Sequence, residues 1–206
     1  MAAGDVIRSF ATPGTLPRGL TFDGKYLWHC DFGSNLIYQI DPRTGAVVRS
    51  FLGPAVSATG LTFGGEYLWH CDWTTNLIYQ IDPRTGAVVR SFASSTTSHI
   101  GLAFDGKYLW HANRTTNRIE QIDPQTGAVV RRLVALANPA GLTFDGKYLW
   151  ISNYDTLLIY QIDPQAGAVI RSFATPGGQP MGLAFDGKYL WHCDGLTDRI
   201  YQIAVA

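Results

Sequence analysis

Short apolar runs alternate with polar, turn-forming clusters along the whole chain. Gly19-Leu20-Thr21-Phe22 runs into Asp23-Gly24, a two-residue turn whose positive-φ demand suits a hairpin. Lys25 to Cys30 (KYLWHC), Leu36 to Asp41 (LIYQID) and Ala46 to Phe51 (AVVRSF) follow, each rich in aromatic or branched residues. Between the last two, Asp41-Pro42-Arg43-Thr44-Gly45 turns the chain: proline pre-sets φ and glycine supplies the left-handed position. No segment sustains a 3.6-residue apolar period, so helices are predicted to be nearly absent.

This four-strand pattern recurs. Copies begin at Gly19, Gly60, Gly101, Gly141 and Gly182, with spacings of 41, 41, 40 and 41 residues. Four short antiparallel strands in about 40 residues, repeated, are the unit of a β-propeller. The fold class is therefore all-β, a five-bladed propeller in one domain spanning residues 1–206. The fifth copy holds three strands and then only Ala204-Val205-Ala206. Its missing strand lies at the other end, where Gly4-Asp5-Val6-Ile7-Arg8-Ser9-Phe10 matches Gly45 to Phe51. Residues 4–10 are predicted to complete blade 5 and close the ring, removing an open strand edge.

Charge and composition narrow the partners. Sixteen basic and sixteen acidic residues give a net charge of zero, which argues against a nucleic-acid binder needing a basic patch. No apolar run is long enough to span a membrane, and Met1-Ala2-Ala3-Gly4 has no signal-peptide character. A soluble monomer is expected, with its compartment open. Cys30, Cys71 and Cys193 share one position in blades 1, 2 and 5. Facing sheets lie about 10 Å apart, too far for a disulfide, so free thiols buried between blades are predicted.

The copies differ on one side only. The first and second turns are nearly constant, and both fall on one face of the ring. On the opposite face the loops between strands 2 and 3 read DFGSN, DWTTN, NRTTN, NYDTL and DGLTD, and the connections between blades also diverge. Variable loops on a rigid frame mark the candidate site. One column there holds Phe32, Trp73, Arg114, Tyr154 and Gly195: aromatics that can stack on a ligand and a cation for a carboxylate. A second column, Arg18, Thr59, Ile100, Ala140 and Met181, is predicted to rim the channel mouth, with His99 one step back. The candidate ligand-binding set is thus Arg18, Phe32, Trp73, His99, Arg114 and Tyr154.

Two further columns suggest metals. His29, His70, His111 and His192 sit on second strands, too far from the axis to converge on bonds of about 2 Å, and blade 4 has Ile151 there. A packing role is expected for them. Asp31, Asp72, Asn113, Asn153 and Asp194 could ring a Ca²⁺ in or near the channel, but strand-end capping is the preferred reading. No other cofactor is expected.

The motif G-L-x-F-D-G-K-Y-L-W followed by I-Y-Q-I-D-P-x-T-G-x-V resembles the repeats of bacterial propellers of the glutamine-cyclotransferase-like kind. It is also similar to streptogramin-lyase and YVTN/NHL-type repeats. The resemblance covers essentially the whole chain but rests on blade motifs shared by enzymes, binders and scaffolds. The cyclotransferase family implies a pocket near the channel mouth and a catalytic glutamate. The two glutamates here, Glu66 and Glu120, are placed in a turn and in a third strand, away from the mouth. No nucleophile and base can be assembled at the mouth either. The expected function is therefore a non-enzymatic binding or structural module, with a lectin-like small-molecule or glycan site on the variable face. Two alternatives stand beside it: a cyclotransferase- or lyase-like enzyme using Arg18 and His99, and a recently amplified or designed ring with no selected ligand.

Overall fold

A computed structural model describes residues 1–95, 99–134 and 138–205, with only the backbone described at residue 99. Twenty strands form five four-stranded antiparallel sheets arranged as blades, and no helix occurs among the described residues. Blade 1 runs outward from the axis through Pro17–Phe22, Leu27–Asp31, Leu36–Ile40 and Val47–Leu52. The other blades repeat it, so the observed strands lie within a residue or two of the predicted runs.

Val6–Ala11 pairs antiparallel with Arg199–Ala204 and supplies the outer strand of blade 5, as its sequence predicted. Backbone bonds from Gly4 N to the Ala204 carbonyl and from Ala204 N to the Asp5 carbonyl, each 2.9 Å, extend the seam. The two distant ends of the chain thus share one sheet.

Each apolar cluster fills a seam between two blades. Trp28, Cys30 and Ile37 of blade 1 pack on Leu61, Leu68, Tyr79 and Ile81 of blade 2. Trp191, Cys193 and Ile200 of blade 5 pack on Leu20, Leu27, Tyr38 and Ile40 of blade 1. The three cysteines are free and fully buried there. Loss of water pushes the Cys71 and Cys193 thiols up to about 12, which leaves them inert as nucleophiles.

Nearest the axis, the inner strands touch through glycine. A Cβ on Gly141 would lie 2.1 Å from the Met181 carbonyl oxygen, and one on Gly182 would lie 2.4 Å from that of Arg18. Only glycine permits this approach, and it explains why each copy starts with Gly-Leu. Each inner strand also shifts register around its glycine, as between Pro17 and Leu20. The residue preceding each glycine belongs to the cup described below.

The near-identical turns of the uniform face hold neighbouring blades together. Arg49 lies 5.2 Å from the Trp28 ring centroid, donates from Nε to Gln39 Oε1 at 2.9 Å, and reaches the Arg84 carbonyl of blade 2 at 2.7 Å. Trp28 Nε1 in turn donates to Asp23 Oδ2 at 2.7 Å. Arg8 makes the same clasp across the closing seam, reaching the Arg43 carbonyl at 2.8 Å.

Candidate functional site at the channel mouth

On the variable face, two loops are stapled together in blades 1, 2, 4 and 5. In blade 1, Asp31 ends the second strand with its carboxylate buried. Oδ2 accepts from Leu16 N of the incoming connection and Oδ1 from Ser34 N of the following loop, both at 2.8 Å. Asp72 does the same with Ser57 N and Thr75 N, and Asp194 with Gln179 N and Thr197 N. The residue after each strand-ending Asp, or after Asn153, then donates its N–H back to the connection: Phe32 to Leu16, Trp73 to Ser57, Tyr154 to Asn138 and Gly195 to Gln179, at 2.9–3.1 Å. Loop ends close in the left-handed region, where asparagine is tolerated, as at Asn35 (φ 57°) and Asn76 (φ 56°).

The column that follows these strand ends turns Phe32, Trp73, Arg114 and Tyr154 towards the axis, and blade 5 has only Gly195 there. The result is a cup of about 180 Å³ at the channel mouth. Phe32, Trp73, Arg114 and Tyr154 line its wall, and Arg18, Thr59, Ile100, Ala140 and Met181 line its deeper part. Five of the six predicted ligand-binding residues are therefore brought together. The side chain of the sixth, His99, lies outside the described residues, although its neighbour Ile100 lines the cup.

Pro139 and Gln179 complete the lining and were not singled out from the sequence. Gln179 occupies the space that Gly195 leaves open, since a Cβ on that glycine would meet Gln179 Oε1 at 2.4 Å. Its Nε2 then donates to the Tyr154 hydroxyl at 3.1 Å. The signal was present but indirect: blade 5 alone has glycine in a column of large side chains.

Two guanidinium groups set the electrostatics. Arg18 Cζ lies 5.5 Å from the Phe32 ring centroid, with Nη1 3.1 Å from Met181 Sδ. Arg114 Cζ lies 5.3 Å from the Tyr154 ring centroid, and its Nε donates to Asn138 Oδ1 at 2.6 Å. None of the residues lining the cup is a carboxylate. The cup is a cationic, aromatic-walled recess.

The other columns take no direct part. His29 and His70 each place Nδ1 3.1 Å from the carbonyl oxygen of their blade's Gly19 or Gly60 and stack on Tyr38 or Tyr79. Burial drives His29, His70 and His192 down to about 4, so all three are neutral at pH 7. No group of three metal-ligating His, Cys, Asp or Glu side chains occurs among the described residues. Glu120 is buried in blade 3, where Arg132 Nε donates to its Oε1 at 2.8 Å and Ser95 Oγ donates to its Oε2. His111, with Nδ1 4.0 Å from Oε2, joins those two donors in holding this carboxyl down to about 2. Glu66 lies at the opposite face, between Gly64 and Tyr67, beside a separate surface recess.

Comparisons with known proteins agree with this architecture. The family described as glutamine cyclotransferase matches residues 13–177. Glutaminyl cyclase from Myxococcus xanthus superposes with a TM-score of 0.84 at 15% identity, covering 98% of this chain and 97% of its own. Virginiamycin B lyase from Staphylococcus aureus gives a TM-score of 0.57 at 20% identity, covering 96% and 69% respectively. At such identities these two likenesses establish the fold alone. No curated protein sequence matches.

The chain belongs to the glutamine cyclotransferase family. That membership overturns the expectation of a non-enzymatic module with a lectin-like site, and the expectation that the chain is not an enzyme. Those expectations rested on the placement of Glu66 and Glu120 away from the mouth and on the lack of a nucleophile–base pair there. A cyclisation needs no protein nucleophile, because the substrate's own amine attacks.

Proposed function

We propose that this member of the glutamine cyclotransferase family is an enzyme that cyclises N-terminal glutaminyl residues, releasing ammonia, in the cup at the channel mouth. The observation that carries the reading is a small, aromatic-walled recess holding two guanidinium groups, in a chain of this family. Ligand pockets for drug-sized molecules run to about 300–1,000 Å³. A cup of about 180 Å³ suits a single residue instead.

In the reaction, the α-amino nitrogen attacks the side-chain amide carbon and a five-membered lactam forms. The carbonyl oxygen gains negative charge, the bond to the departing nitrogen breaks, and a proton passes from the attacking nitrogen to the leaving one. Arg18, fixed over Phe32 beside the inner strands, supplies N–H donors to that developing oxyanion. The Tyr154 hydroxyl accepts from Gln179 and keeps its own proton to donate to the leaving nitrogen. Phe32 and Trp73 enclose the aliphatic part of the substrate.

The same two cations disfavour a bound ammonium. A free α-amine titrates near about 7.7–8.0, and positive charge beside it lowers that value, enlarging the nucleophilic fraction at neutral pH. The expected profile of kcat is a single rising limb with a midpoint below about 7.7, whereas kcat/KM follows the free amine. Ammonia release and mass loss from glutamine-leading peptides would test the reading. A folded protein that releases no ammonia anywhere along that limb would sink it.

A further inference from the structure

Blade 2 departs from the other four at one point of the uniform face. Its first turn reads Gly64-Gly65-Glu66 where blade 1 has Asp23-Gly24-Lys25. In blades 1, 3, 4 and 5 the acid of that turn accepts the tryptophan indole N–H at 2.7 Å, as Asp105 does from Trp110. In blades 3, 4 and 5 the same oxygen also accepts from the third-strand glutamine. Gln121, Gln161 and Gln202 donate from Nε2 at 3.4 Å. Blade 2 keeps both donors, in Trp69 and Gln80, and lacks the acid. Neither Trp69 Nε1 nor Gln80 Nε2 has an acceptor among the described residues.

The indole is only 3% exposed, and its N–H edge lies against Gly64, where a Cβ would meet Nε1 at 2.9 Å. Trp69 and Gln80 line a recess of about 310 Å³ between blades 2 and 3, with Gly64, Glu66, Phe104 and Gln125. Arg90 holds a positive charge beside them. Its Cζ lies 5.5 Å from the Trp69 ring centroid, and its Nε donates to Gln80 Oε1 at 2.7 Å, which leaves the amide nitrogen free. The turn's own backbone does not stand in for the acid. Glu66 N donates to the Gly64 carbonyl at 2.9 Å, and Gly64 pairs with Tyr67.

We infer that this recess binds a carboxylate, which accepts from Trp69 Nε1 and Gln80 Nε2 as Asp186 accepts from Trp191 and Gln202. Near-buried donors without an acceptor are costly, and an ionised acceptor makes a bond about twice as strong as a neutral one. The blades with an intact turn show which chemistry these two donors hold. The carboxylate belongs either to a small free acid or to an acidic side chain of a docking protein. The site lies on the face opposite the cup, so it stands independently of the cyclase reading.

The test follows the indole N–H resonances of isotope-labelled protein by NMR as sodium acetate replaces sodium chloride at constant ionic strength. Trp69, assigned through Trp69→Phe, is expected to move saturably. Trp28, Trp110, Trp150 and Trp191, already bonded to an acid, should stay still; Trp73, near the cations of the cup, is left out of the comparison. N-acetyl-aspartyl-methylamide in a second arm separates the two sources. Tighter binding than acetate identifies a protein side chain, and weaker binding a small free acid. Glu66→Gln removes a like charge at the rim and should tighten acetate about fivefold. Gly64→Asp combined with Glu66→Lys rewrites the turn as blade 1 has it and should abolish the response. A Trp69 resonance that moves no more than the four bonded indoles in both arms overturns the inference. So does a response that survives the rewritten turn, or one that Glu66→Gln leaves unchanged. Should the rewritten turn fail to fold, the bonded indoles and Glu66→Gln still decide it.

Discussion

The two faces of the ring are made by the same strands, yet they treat polar groups in opposite ways. On the uniform face each Asp of the first turn is saturated: Asp23 takes Lys25 N, Tyr26 N and Trp28 Nε1. Each clasping arginine there is spent within the frame, as Arg49 is on Gln39 of its own blade and on the Arg84 carbonyl of blade 2. On the variable face Arg18 has a phenyl ring and a thioether for company, and Arg114 a phenol ring and one amide oxygen. Polar groups consumed by the frame hold the repeat in place; cations left facing a recess are available to a substrate. Repetition marks the first kind of region and divergence the second.

Acid should damage the repeated region most. The folded pKa of His29, His70 and His192 is depressed to about 4 against an ordinary 6.5, so these groups support the fold above pH 6.5. That support is lost as pH falls from about 6.5 towards 4, because the unfolded chain binds protons that the folded one refuses. At about 1.4 kcal/mol per unit, each histidine accounts for roughly 3 kcal/mol. Urea melts at neutral pH and near pH 4 would check this; equal midpoints would show that the imidazoles are hydrated.

Next in size is Trp28→Ala, which opens a cavity in the blade 1–2 seam and should cost about 3–5 kcal/mol. Removing only its partner, Arg49→Ala, should cost about 1–2 kcal/mol from one cation–π contact and the hydrogen bonds across the seam. Thermal melts of both variants measure the contribution of packing against that of the clasp.

The smallest stability effect and the largest loss of activity should coincide at the mouth. Arg18→Ala leaves no cavity in any seam cluster, so its melting temperature should move by about a degree or two. Its kcat should fall about 10²–10³-fold, as for loss of an oxyanion donor. If Arg18→Ala unfolds the ring as Trp28→Ala does, the division between frame and mouth fails.

Blade boundaries, closure by residues 4–10 and the cup's two main columns were all legible in the chain. Near-identical copies expose every departure, and the departures at Phe32, Trp73, Arg114 and Tyr154 point at one place. Gln179 was not legible, because its role depends on a void at Gly195, sixteen residues away in sequence but adjacent across two stapled loops. The exchange in blade 3 was half legible. Glu120 stands where other blades have tyrosine, and Arg132 stands where they have serine. Only the register that pairs these two residues shows that one charge answers the other.

By itself the sequence determined the blade, the number of blades and the way the ring closes. Strand length, turn chemistry and the Gly-Leu start are local properties, and repetition multiplies a local rule into a global shape. The tertiary structure decided how large the cup is, which side chains share it and which polar groups remain for a ligand. Those depend on distances between blades, where residues about forty positions apart meet across a ring whose curvature no single repeat encodes.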